Sequence, residues 1–262
     1  MELKVADETF SMEQAKQTIA TYCFESEPTS PTPPPQTYGV PLEPWSRPLF
    51  GYRSYDCQRG SGEGVDIVDI VAPVLLNAPQ GYGVALVSNL LAVAPIVNDV
   101  VARVPSHSTF WDLSSEEVES PAEDSPSWWL HRAWYLVESV PGCGRTKTHK
   151  LLHHAWPHLF PLIDNTTGPR LGENMWLRVH GDLNDYRQEF SELEQWFAAE
   201  AASQEGVSLT RLRLHDILLW WRVHYETSQS SGNAPPTLGT WSAWRWLSST
   251  SRSATSPATP GG

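Results

Sequence analysis

The feature that most constrains this chain is the run Val140-Pro141-Gly142-Cys143-Gly144, because it separates two stretches of helical character by almost nothing. Ser127 to Ser139 offers Trp128, Leu130, Trp134, Leu136 and Val137 to a core, and Arg145-Thr146-Lys147-Thr148-His149-Lys150-Leu151-Leu152 follows the turn at once. Proline stops the first helix, and two glycines supply the positive φ or close backbone approach that so short a connection demands. The stretch from about Trp128 to Asp164 therefore reads as a helix–hairpin–helix.

The surroundings agree with an all-α, multi-helix domain. Ile67, Ile70, Val71, Val74 and Leu75 recur at three- to four-residue spacing, and Val84 to Val104 repeats that pattern around Pro95. Both segments read as helices, although their β-branched content would also permit strands. Asp185 to Ala202 aligns Tyr186, Phe190, Leu193 and Phe197 on one stripe. Ser208 to Tyr225 opens on a serine suited to capping and is apolar enough to be central. In all, five or six helices and no strand are expected. Residues 1–37 read as an N-terminal acidic and Pro-rich segment and linker, with a helix from Met12 to Cys23. The helical domain is expected over 38–227, and 228–262 reads as a low-complexity, mostly disordered tail interrupted by Trp241, Trp244 and Trp246.

Composition narrows the function classes. A formal charge of −12 over 262 residues excludes a protein that coats nucleic acid indiscriminately, since that binding is driven by counterion release to Lys and Arg. It leaves room for a local basic site. No secretory signal is expected, and no apolar run is expected to reach the roughly 18–20 residues that span a bilayer. Three widely spaced cysteines make neither a disulfide framework nor a CxxC metal site. A cytoplasmic protein without a membrane partner, cofactor or metal is the expectation.

The hairpin carries the chemistry. A helix that starts directly on a glycine turn presents unpaired N–H groups and the positive end of its dipole, which is an anion site. Arg145, Lys147 and Lys150 add charge at that end. Residues 141–180 hold five cations against Asp164 and Glu173, a net +3 that leaves −15 for the rest of the chain. The same Pro-Gly-X-Gly run would also serve as a plain αα-hairpin joint with solvated cations.

The segment resembles the helix–hairpin–helix of the endonuclease III-type DNA glycosylase superfamily, in which a Pro-Gly-Val-Gly hairpin binds DNA backbone and a catalytic Asp follows one helix and a loop later. Val140 to Gly144 matches the hairpin and Pro161-Leu162-Ile163-Asp164-Asn165-Thr166 the Asp segment; Asp164 lies 18 positions after Thr146, a family-like separation. The resemblance implies backbone contacts through Gly142, Gly144, Arg145, Lys147 and Lys150, with Asp164 in the catalytic place. Thr146 stands where bifunctional members carry a lysine nucleophile, so an enzyme of this type would be a monofunctional N-glycosylase. Thr167-Gly168-Pro169-Arg170 departs from the continuing helix of that family. A closer similarity is to an uncharacterised bacterial family, a domain of unknown function, over roughly Tyr52 to Tyr225. It rests on Lys150-Leu151-Leu152, Pro157 to Asp164, and Leu212 to Trp220.

Several residues fit two roles. Asp164 precedes Asn165-Thr166-Thr167 and would equally cap the next helix. His149, His153, His154 and His158 cluster without enough further ligands for zinc, and helix-surface or packing roles account for them. Arg213 and Asp216, on an otherwise apolar helix, point to a buried structural pair. DNA and another protein are the two partner classes these readings leave.

Overall fold

The computed structural model describes residues 2–24, 51–76, 78 and 81–230, with side chains through residue 224. Residues 25–50, which include the Pro-rich part of the expected 1–37 segment and the expected start of the helical domain, and the low-complexity tail beyond Ser230 lie outside the described residues. The chain divides after His224 into two compact units, and the first, Met1–His224, holds the hairpin.

That unit is helical. A β-hairpin of β1 (Glu2–Val5) and β2 (Glu8–Ser11) leads into α1 (Met12–Phe24). A single π-helical turn at Tyr52–Asp56 precedes α2 (Ile67–Leu75) and α3 (Val84–Val101). Next come α4 (Ser115–Glu119), α5 (Pro126–Glu138) and α6 (Gly144–Ala155). The last described elements are α7 (Gly168–Leu171), α8 (Met175–Asp185), α9 (Arg187–Ser203) and α10 (Arg211–Ser230).

The ambiguous segment between residues 66 and 104 is helical, and capping explains why. Asp66 Oδ1 accepts the backbone N–H groups of Val68 and Asp69 at 2.7 and 3.3 Å, while Asp69 Oδ2 accepts that of Asp66 at 2.9 Å. This reciprocal box satisfies donors that a helix start otherwise orphans. Pro73 and Pro95 lie inside α2 and α3 without ending them. The expected serine cap of α10 shifts by two residues, to Thr210, whose Oγ1 accepts from Arg213 N at 3.4 Å.

Two apolar clusters build the core. One joins Leu3, Val5, Phe10, Ala15 and Ile19 to Val179, Leu183, Phe190, Leu193, Phe197, Leu214 and Leu218. The other joins α3, α5 and α6 through Leu90, Val97, Leu130, Ala133, Leu151 and Phe160. The hairpin sits on the second cluster.

Two expectations change. Residues 2–24 are not an acidic appendage: Leu3, Val5 and Ile19 are fully buried, and Asp182 Oδ2 accepts the Ala6 N–H at 2.6 Å. The described body thus begins at Glu2 rather than residue 38. The strands register Leu3 with Phe10 across a turn in which Ala6 has a φ of 53°. In addition, α3 has the length and composition to cross a membrane, with a mean hydropathy of 1.9 over 18 residues, although Leu86, Leu90, Ala94, Val97 and Val101 are buried in the second cluster. Ser88, Asn89, Asn98 and Asp99 interrupt its sequence without lowering that average enough.

Because Phe10 is 2% exposed and packs in the first cluster, Phe10→Ala should cost about 3 kcal/mol, in the range for emptying a buried aromatic site. Urea denaturation measures it; a change within about 0.5 kcal/mol, typical of surface sites, would return the segment to linker status.

Candidate functional site

The turn between α5 and α6 is closed by Cys143 N donating to Val140 O at 2.9 Å. Gly142 and Gly144 have φ of 86° and 65°, and a Cβ on either would meet no atom within 4 Å. Left-handed backbone, not crowding, is what requires glycine here. The outer side of the turn is open. Cys143 points inward, buried, its Sγ 3.5 Å from Thr148 Oγ1, and burial raises its thiol above the usual range. No side chain caps the start of α6.

The three hairpin cations divide. Arg145 is exposed and carries no hydrogen bond or ion pair among those of the described residues. Lys147 is half-buried; its Nζ donates to Gly142 O at 3.0 Å and stands 5.8 Å over the Tyr82 ring. Lys150 is buried, donating to Leu76 O at 2.6 Å with Asp164 Oδ2 at 3.6 Å. Burial lowers its ammonium pKa, against the attraction of Asp164. The sequence placed Lys150 with the backbone-binding cations; the fold turns it inward, because the face of α6 four residues beyond Thr146 packs on the body.

The net +3 of residues 141–180 is also largely spent within the fold. Arg178 pairs with Asp7 at 3.0 Å and Asp182 at 3.3 Å, and Arg170 reaches Glu8 at 3.9 Å. Their carboxylate partners lie outside the window over which sequence charge was counted. Arg145 and Lys147 are what remains at the turn.

Asp164 is held as a turn and cap. Its Oδ1 accepts the N–H groups of Thr166 and Thr167 at 2.8 and 3.0 Å and the Thr167 hydroxyl at 3.3 Å, while its own N–H donates to Thr167 Oγ1 at 3.2 Å. Gly168 N closes onto Asp164 O at 2.8 Å, and the one-turn α7 follows with Pro169 in its first turn. Thr146 Oγ1 donates to Asn165 Oδ1 at 3.1 Å, so the loop and the start of α6 are in direct contact. The spacing of 18 residues does bring Asp164 to the hairpin helix, with one carboxylate oxygen committed to backbone amides and the other facing Lys150.

The histidines hold the same loop. His149 Nδ1 lies 2.9 Å from Pro161 O and His153 Nδ1 2.7 Å from Phe160 O. The Trp134 indole N–H donates to His149 Nε2 at 3.2 Å, which leaves the proton of His149 on Nδ1 for the carbonyl. Burial holds His149 near a pKa of about 4, so it is neutral. His154 bonds Asp69 at 2.6 Å and Tyr55 O at 3.1 Å. Among the described residues no three His, Cys, Asp or Glu side chains are grouped to hold a metal ion. The i, i+4 spacing of His149 and His153 pins two successive carbonyls.

Behind α6, Arg213 donates to Asp56 through Nε and Nη2, both at 2.9 Å, to the Tyr22 hydroxyl at 2.9 Å, and to Asp216. Burial, reinforced by Asp164, pushes the Asp216 carboxyl up to about 7, opposed by Arg213 and Lys150. Asp56 and Asp69 were not singled out from sequence. The Asp-x-x-Asp of a capping box at 66–69 is the signal that would have found the latter.

Residues 37–223 match the family of unknown function DUF6308. The chain belongs to that family. No curated protein and no solved structure matches the chain. The DUF6308 match takes in the hairpin, Asp56, Lys150, Asp164, Arg213 and Asp216, and leaves β1, β2 and α1 outside. The family match carries no endonuclease III-type resemblance with it.

Asp216 supplies a pH test. Its folded pKa is raised, so the native state keeps a proton that the unfolded chain releases from about pH 4 upward. Its contribution to stability is full below about pH 4 and is lost as pH rises to about 7. Asp216→Asn removes this dependence. The stability of the variant relative to the native chain should therefore rise between pH 4 and 7 and level off above, as read by urea midpoints at each pH.

Proposed function

We propose that this DUF6308 protein binds the phosphodiester backbone of nucleic acid at the α5–α6 hairpin, without catalysing base release. The observation that carries the reading is the open turn itself. Gly142 and Gly144 leave the backbone accessible, α6 begins there without a side-chain cap, and Arg145 stands exposed and unengaged beside it. Such an end attracts a phosphate through amide N–H groups and the helix dipole, and a guanidinium adds a charge-assisted pair. Lys147, already over the turn on Gly142 O, would supply a second cation.

DNA affinity should then fall with salt, and Arg145→Ala should weaken it and reduce the slope of log K against log salt by roughly 1. Gly142→Ala should weaken it too, with a strain cost of about 1 kcal/mol in stability. Fluorescence anisotropy with a labelled duplex reads both. An affinity unchanged in Arg145→Ala and Lys147→Ala would sink the proposal.

The inward use of Lys150 favours a second reading, in which the hairpin is only a joint and the partner is another protein. It predicts no DNA affinity even at low salt. The glycosylase alternative needs Asp164 beside a flipped nucleotide. The bonds from Thr166 and Thr167 to its Oδ1 support a capping role instead, so a panel of lesion-bearing duplexes should show no base release. Release that disappears in a folded Asp164→Asn variant would restore that alternative.

A further inference from the structure

We propose that the nucleic acid held at the α5–α6 hairpin is single-stranded, with one of its bases stacked on Tyr135. The inference rests on the backbone-binding reading above and names the form of nucleic acid. Tyr135 is the one exposed aromatic side chain among the described residues, at 62%. Its ring is braced rather than loose. Trp134 meets it with 5.2 Å between centroids and 82° between planes, and a perpendicular contact of this kind covers at most one face of the tyrosine. Trp134 is itself fixed by its indole N–H on His149. A ring held this way offers an open face, and every base has a face to lay on it.

The ring lies on the same flank of the hairpin as its exposed guanidinium. Arg145 and His149 are four residues apart on one face of α6, His149 bonds Trp134, and Trp134 carries Tyr135. Tyr135 precedes Gly142 by seven positions, about 10 Å at the helical rise, which is the length of about three nucleotides along one strand. Trp128, Arg132 and Tyr135 form an i, i+4, i+7 stripe on α5. Arg132 is exposed, lies 4.8 Å over the Trp128 ring and has no ion pair among those of the described residues. A cation for phosphate thus stands to each side of the ring.

Charge along this flank decides for a single strand. The half-buried Glu138 stands one turn beyond Tyr135 toward the hairpin, and the exposed Glu173 precedes Trp176, whose ring lies 4.5 Å from that of His131. Glu123 and Asp124 close the far end, just before α5. Cations prevail at the tip, with Arg145 and Lys147, but along α5 the signs are mixed. A duplex is held through its phosphates, and a track of phosphates up α5 would meet Glu138. A base carries no such charge. Bases within a duplex are already stacked on both faces, so only an unpaired strand turns one onto Tyr135. The ring supplies what the charge lacks.

Fluorescence anisotropy on the full chain at low salt tests this, with a short labelled oligothymidylate and a labelled duplex of the same length. The oligothymidylate should bind more tightly than the duplex. Tyr135→Ala should weaken the single strand roughly 5- to 100-fold, the range for losing one stacked base, and leave the duplex unchanged. Tyr135→Phe, which keeps the ring, should bind as the native chain does. Both variants should melt with the native chain, the position being exposed. Arg145→Ala should weaken both probes. If it does so while Tyr135→Ala weakens neither, the hairpin reading stands and the stacking is overturned. A duplex bound more tightly than the oligothymidylate overturns it as well, as does a Tyr135→Ala loss equal on both probes. Binding of neither probe overturns both readings together.

Discussion

The interior is organised around one buried guanidinium. Arg213 is 2% exposed, and its donors engage Asp56 at the π-helical turn, Asp216 one turn along α10, and Tyr22 on α1. The faces of the Tyr22 and Tyr55 rings lie 5.3 and 5.5 Å from its charge. Taking an ion out of water costs several kcal/mol, and only partners on every side offset that. The three segments that supply them come from opposite ends of the chain, so Arg213 fixes where α1 and the 52–56 turn sit against α10. Two carboxylates share this one cation, and burial, with Asp164 beyond Lys150 adding negative potential, pushes the Asp216 carboxyl up to about 7 against the pull of Arg213. DUF6308 residues furnish the ions; Tyr22 comes from before the matched region.

The same interior explains what sequence could reveal. Periodicity found α2, α3, α5, α9 and α10 because each buries a stripe, and the hairpin was legible because Pro141, Gly142 and Gly144 leave the backbone few alternatives. The β-hairpin was missed. Its strands are four residues long, and Leu3, Val5 and Phe10 alternate over too short a span to outweigh an acidic composition. The depth of Lys150 was also invisible. A lysine four residues after Thr146 looks the same whether its face meets solvent or a carbonyl from Leu76, which is 74 residues away.

Local charge proved the least transferable of the sequence signals, for a physical reason. Counting along the chain assumes that neighbours in sequence share an environment, yet Arg178 and Arg170 find their carboxylates at Asp7 and Glu8 on the β-hairpin. The basic stretch is basic only before it folds. What survives at the surface is set by the geometry of α6: its inner face presents His149, Lys150, His153 and His154 to carbonyls and carboxylates, and its start presents Arg145 and two glycines outward.

That division bears on the meaning of the Asp164 spacing. The loop after α6 is long enough to return to the start of that helix, and His149 and His153 hold it there through Pro161 O and Phe160 O, so the proximity of Asp164 to the hairpin is a matter of loop packing rather than of chemistry at the carboxylate. Chemistry depends on where the carboxylate points. Here Thr166 and Thr167 donate to one oxygen and Lys150 lies 3.6 Å from the other, an arrangement that engages both and leaves little of the carboxylate to meet a sugar or a water. The Gly168-Pro169 pair, which starts α7 immediately, is what bends the loop into that cap. The hairpin and the aspartate thus lie side by side, while residues 165–169 turn the aspartate to holding the loop.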